Sequence, residues 1–139
     1  MKLQNFWTMP HIKNLLAHKN LLFAALFYSF IISILFFLPT TGLPKVNFAA
    51  ADKIVHGFIY FVLINLWMAY FYAKNNFHFD GKSIAILFFS ILLYGIVIEI
   101  LQGLFTVSRE ADIFDLIANT IGSLLGIFFF KNIKHYFNP

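Results

Sequence analysis

The chain is 139 residues long, 60% hydrophobic and 20% aromatic, with 12% charged residues and a formal net charge of +4. An average soluble domain carries about 25% charged residues, so a water-exposed globular fold is disfavoured and the length leaves no room for a separate soluble domain. The absence of cysteine removes disulfides, thiolate chemistry and zinc–sulfur centres; the lysines are scattered between apolar runs, with no basic stripe to follow a phosphate backbone, which sets nucleic acid aside.

Residues 1–19 mix Phe6, Trp7, Ile12, Leu15 and Leu16 with His11, Lys13, His18 and Lys19. This pattern predicts an interfacial segment on the membrane surface, interrupted at Pro10. A first span is expected over residues 21–38. It is longer than the h-region of about 7–15 residues in a signal peptide, and residues 39–48 separate it from the small residues Ala49, Ala50 and Ala51, so it reads as a retained helix. Pro39, Gly42 and Pro44 break the chain there. A second span is expected over 54–73, ending in the aromatic cluster Tyr70, Phe71 and Tyr72 typical of a membrane interface. A polar turn with Asn75, Asn76, Asp80 and Gly81 leads to a third span over 83–105, and a fourth follows over 113–130. The expected fold is an all-α, four-helix integral membrane bundle forming a single domain over 1–139.

If four helices alternate, Lys2, Lys13, Lys19, Lys74, Lys82, Lys131 and Lys134 fall on one side, and Lys45, Lys53 and Arg109 on the other. The positive-inside rule then places both termini in the cytoplasm, with the loops after the first and third spans outside.

In that orientation the unusual polar residues collect at the extracytoplasmic level. Asp52, Lys53 and His56 begin the second span, Glu99 and Gln102 lie near the end of the third, Arg109 is in the following loop, and Asp112, Asp115 and Asn119 enter the fourth. At about 100° per residue, Asp112, Asp115, Asn119, Gly122 and Gly126 share an arc of about 80°; Gly95, Glu99 and Gln102 share about 60°; Asp52 and His56 are about 40° apart. Asn65 is about 180° from His56 and faces elsewhere. Several of these residues have simpler uses. Gly122 and Gly126 suit close helix packing, Gln102 and Asn119 suit interhelical hydrogen bonds, and Asp52 and Asp112 suit helix N-termini. Lys53 suits an interface anchor and Arg109 a surface loop.

Glu99 and His56 are harder to assign to structure alone. Glu99 is six residues, about 9 Å, inside its span, too deep for its short stem to reach water easily. An imidazole among carboxylates is a proton carrier or metal ligand. Glu99, His56 and Asp115 are therefore the candidate acid–base residues. Lys53, Arg109, Gln102, Asn119, Asp52 and Asp112 are the candidates for binding a substrate. Carboxylates with one histidine suit Mg²⁺, Mn²⁺ or Ca²⁺ better than a three-histidine zinc centre, so a divalent metal fits the set without being required by it. No serine-hydrolase elbow or glycine-rich phosphate loop is present.

Three ordered motifs carry a resemblance: D-K-I-V-H at 52–56, Y-G-I-V-I-E-I-L-Q at 94–102 and R-E-A-D-I-F-D-L-I-A-N-T-I-G at 109–122. Together they resemble the VanZ-like membrane protein family, which takes its name from a protein associated with low-level resistance to the glycopeptide teicoplanin. The resemblance implies a bacterial membrane location and the site residues Asp52, Lys53, His56, Glu99, Gln102, Arg109, Asp115, Asn119 and Gly122. It supplies no reaction. The expectation is a polar pocket between the last three helices that binds an anionic lipid or lipid-linked cell-envelope precursor, with the first helix facing lipid or contacting another copy. The alternatives are a membrane-embedded acid–base or metal-assisted enzyme acting on such a substrate and, less favoured because the polar stripes stop in the outer half, a proton-linked permease.

Overall fold

The computed structural model describes residues 17–38, 49–106 and 112–137. Four long helices make up almost all of these: α1, His18–Phe37; α2, Ala49–Lys74; α3, Gly81–Phe105; and α4, Ile113–Ile133, which runs into a short 3₁₀ turn at Lys134–Phe137. All four are long and apolar enough to cross a membrane, and no strand occurs among the described residues. The protein is a multi-pass, all-α membrane bundle. Residues 1–16, the 39–48 connection and Arg109 lie outside the described residues.

The helices outrun the expected spans at several ends. The largest difference is at α2, which begins at Ala49 rather than near residue 54. Hydropathy marks where lipid contact begins, whereas a helix continues wherever its first turn is tolerated, and Asp52 and Lys53 are compatible with helix geometry. Asp52 therefore sits in the first turn of α2 and is not its cap. At α3 the cap is Asp80, whose carboxylate accepts from the Ser83 backbone N–H at 3.0 Å. At α4 it is Asp112, accepting from the Phe114 N–H at 2.8 Å. Both satisfy an amide that has no partner inside its helix. α1 stops two residues before Pro39, as the restricted residue preceding proline requires.

α2 reverses into α3 through Asn76 and Phe77, both left-handed at φ 52° and 63°. The Phe77 N–H donates to the Tyr72 carbonyl at 2.8 Å, closing the helix end as a Schellman-type turn does. Phe77 packs edge-on against Tyr72, with ring centroids 5.4 Å apart.

α2 and α4 form the central pair and run parallel, because Gly57 meets Gly122 and Ile64 meets Gly126, while Tyr72 meets Phe130 further along. A Cβ on Gly122 would lie 1.9 Å from the Gly57 carbonyl oxygen. These helices touch backbone to backbone, the packing that small residues allow in a bilayer. Tyr60, Leu63, Ile64 and Met68 of α2 are fully buried and supply the centre of the core.

α1 also packs inward. Ala25, Ile32 and Phe36 are buried, while Phe23, Leu26, Phe27, Phe30 and Leu35 are exposed in the lipid direction. Its three hydroxyl side chains, Tyr28, Ser29 and Ser33, all find partners across the bundle. Tyr28 donates to the Ile59 carbonyl at 3.1 Å, the Tyr94 hydroxyl bonds Ser33 Oγ at 2.6 Å and the Ser29 carbonyl at 3.0 Å, and the Trp67 indole N–H reaches Ser29 Oγ at 3.2 Å. The expected lipid-facing helix is thus lipid-facing on one side and hydrogen-bonded to α2 and α3 on the other.

Candidate functional site

The N-terminal ends of α2 and α4, the C-terminal third of α3 and the last turn of α1 meet at one end of the bundle. Lys53 extends from α2 to the start of α4, where its ammonium contacts Asp112 Oδ2 at 2.5 Å and also pairs with Asp115 Oδ1. Asp52 Oδ2 is 3.7 Å from the same nitrogen. The Lys53 ammonium and the Phe114 amide hold the Asp112 carboxyl below the usual carboxylate range. Asp112 therefore combines capping with ion pairing.

His56 lies one turn further in and is only 3% exposed. Its Nε2 is 3.9 Å from Asp52 Oδ1 and 3.8 Å from Asp115 Oδ2, beyond hydrogen-bonding distance of either. Its Nδ1 has no hydrogen-bond partner among the described residues, and its ring stacks on Phe36 of α1 with centroids 5.1 Å apart. Asp115 thus faces Lys53 with one oxygen and His56 with the other. Asp52, His56 and Asp115 offer three ligand atoms all within 4.8 Å of one another, a grouping that could hold a metal ion after small adjustments.

Glu99 is buried on α3, and its Oε2 accepts the Asp112 backbone N–H at 3.3 Å. That contact ties the end of α3 to the start of α4. Gln102, also buried, donates its side-chain amide to the Phe36 carbonyl at 2.8 Å, satisfying an orphan carbonyl in the last turn of α1. Asn119 is buried with its Oδ1 unpartnered among the described residues, and its backbone carbonyl accepts from Ser123 Oγ.

Of the nine candidate residues, Asp52, Lys53, His56, Asp112 and Asp115 are linked into one cluster. Glu99 joins it through the Asp112 amide, Gln102 and Asn119 line the adjacent helix contacts, and Arg109 lies outside the described residues. Two residues belong to the surroundings that the sequence reading did not include. Tyr60, four residues after His56 on the same face, is buried with its hydroxyl unpartnered among the described residues; the i, i+4 spacing from His56 was its signal. Phe36 had no comparable signal, because one phenylalanine among twenty gives no sign of stacking on an imidazole. Asn65 stands apart from the cluster, donating to the Phe61 carbonyl within its own helix.

A cavity of about 580 Å³ lies toward the opposite end, between α1, α2 and α3. Trp67, Phe71, Leu87 and Ile91 line its sides and Lys74 its outer part, so it is separate from the acidic cluster.

A search of curated proteins finds no match, and no solved structure matches either. A protein-family model described as VanZ/LLP1 matches residues 2–134, a stretch that includes every residue of the cluster. The chain belongs to the VanZ/LLP1 family.

Proposed function

We propose that the cluster is a headgroup site on the extracytoplasmic side of the bacterial cytoplasmic membrane, taking the phosphate-bearing headgroup of an anionic lipid or lipid-linked cell-envelope precursor. The observation that carries this reading is the Lys53–Asp112–Asp115 ion-pair set beside the buried His56 at the end of the transmembrane helices. Ionisable groups at this depth are costly in lipid and persist where they meet each other or a polar ligand. Lys53 and Arg109 supply positive charge to the phosphate, while Asp112, Asp115 and Glu99 fix the position of the cation and of the α4 start. Gln102 and Asn119 stand on the α3 and α4 stripes behind them. Occupation of a lipid-linked precursor by such a site would limit glycopeptide access to its target, the form that an effect on teicoplanin susceptibility would take. Native mass spectrometry of the protein extracted with its lipids is the test. A phosphate-bearing lipid is expected on the wild type and is lost on Arg109→Ala; equal retention by the variant refutes the reading.

A second reading is favoured by Glu99, a buried carboxyl placed against the same cluster as His56. Here Glu99 and His56 move protons on the bound lipid-linked substrate, with the Asp115 carboxylate facing the imidazole. This reading predicts that Glu99→Gln retains lipid but loses turnover of a lipid-linked phosphate. Full turnover by that variant excludes Glu99 as the base.

A further inference from the structure

We propose that Asp52, His56 and Asp115 form a divalent-cation site for which the ammonium of Lys53 is the built-in competitor. Three features support it. The His56 Nε2–carboxylate separations of 3.9 and 3.8 Å are too long for hydrogen bonds, yet two atoms each about 2.1 Å from a shared metal lie at most about 4.2 Å apart. His56 is buried, its Nε2 faces both carboxylates without bonding either, and its Nδ1 finds no partner among the described residues. Ligation through Nε2 requires the neutral imidazole with its proton on Nδ1. The charge balance is also open: Asp52, Glu99, Asp112 and Asp115 face only Lys53 among the described lysines and arginines of the cluster.

One imidazole and two carboxylate oxygens suit a first-row ion such as Mn²⁺, with the remaining positions open to water or a phosphate oxygen. Asp52 is well exposed, with 56% of its side chain accessible, so it can turn to close the ligand set. Lys53 shares both carboxylates with the ion. A dication bound there repels the ammonium, which is itself 29% exposed and has a route outward. The incoming ion thereby releases Lys53 toward solvent. The further step, that ion and freed ammonium together clasp a phosphate headgroup, rests on the reading given under Proposed function.

The test titrates purified full-length protein with Mn²⁺ alone, following free Mn²⁺ by electron paramagnetic resonance. One Mn²⁺ per chain is expected. Asp52→Asn, at an exposed position, should weaken binding at least tenfold, and His56→Gln, checked for folding by thermal unfolding, should weaken it further. Lys53→Met should tighten binding at least tenfold, because the competing cation is gone. Binding that ignores Asp52→Asn and His56→Gln means an adventitious ion only and overturns the site. Unchanged or weaker Mn²⁺ binding by Lys53→Met overturns the competition. The headgroup reading is scored separately by phosphatidylglycerol retention with and without EDTA: retention by a chain that binds no Mn²⁺ rejects the cation site alone, and Mn²⁺ binding without any lipid retention rejects the headgroup step alone.

Discussion

The backbone contact between α2 and α4 predicts a steep ranking among glycine substitutions. A methyl group at Gly122 would stand 1.9 Å from the Gly57 carbonyl oxygen, 2.6 Å from its carbon and 2.8 Å from its Cα. All three are backbone atoms, so no rotamer change relieves the overlap. Ordinary contact requires the helices to separate by about 1.5 Å, which forfeits dispersion along the whole interface. Overpacking a tight core costs about 1–3 kcal/mol when side chains can adjust, so Gly122→Ala should cost about 3 kcal/mol or more. At Gly126 the nearest atoms are Ile64 Cγ2 at 2.4 Å and Asn65 Nδ2 at 2.8 Å, with the Phe61 carbonyl oxygen at 3.0 Å; the closest overlaps are with side chains rather than backbone, and a loss of about 2 kcal/mol is expected. At Gly57 a Cβ would meet only the Ala118 carbonyl oxygen, at 3.3 Å. The helix-propensity gain of alanine, about 1 kcal/mol, should leave Gly57→Ala near neutral. Thermal unfolding of the three variants in one detergent measures the order. If Gly122→Ala unfolds with Gly57→Ala, the close approach of these helices is refuted.

A double-mutant cycle on Lys53→Met and Asp115→Asn should give a coupling of about 1–3 kcal/mol by equilibrium unfolding, because the pair is partly screened from water; additive effects would deny the ion pair. Gln102→Leu keeps the volume but strands the Phe36 carbonyl, at a cost of about 1 kcal/mol in the same assay; no loss would mean that the α1–α3 bond contributes nothing. The Ser83 hydroxyl and amide hold the Asp80 carboxyl below its ordinary value. A depressed folded value stabilises above the unfolded pKa of about 3.9 and loses that contribution as pH falls through the folded one. Wild-type protein should therefore lose stability relative to Asp80→Asn below about pH 4, and parallel acid profiles would show the cap charge to be inert.

The fold was legible because lipid imposes one simple demand: unbroken apolar runs must be helical to satisfy their own backbone. The cluster was legible for a related reason. Asp52, His56, Glu99, Asp112 and Asp115 were conspicuous against an apolar background, and helical spacing placed them on shared faces. Their pairing was not readable. Nothing in the spacing says that Lys53 chooses Asp112 and Asp115, since that depends on α2 and α4 lying side by side at backbone contact. Gln102 was visible as a polar residue, but its partner is a main-chain carbonyl of α1, and every residue offers one of those. The stacking of Phe36 on His56 was hidden for the same reason, an aromatic contact in a chain crowded with aromatics.

The parallel course of α2 and α4 has an electrostatic consequence. Each helix carries about half a positive charge at its N-terminus, and here two such ends lie side by side. Asp52, Asp112 and Asp115 are the counter-ions that make this alignment tolerable. Neutralising several of them at once would loosen the seam between these two helices. The acids that gather at this end of the bundle are also a condition of the topology that gathers them.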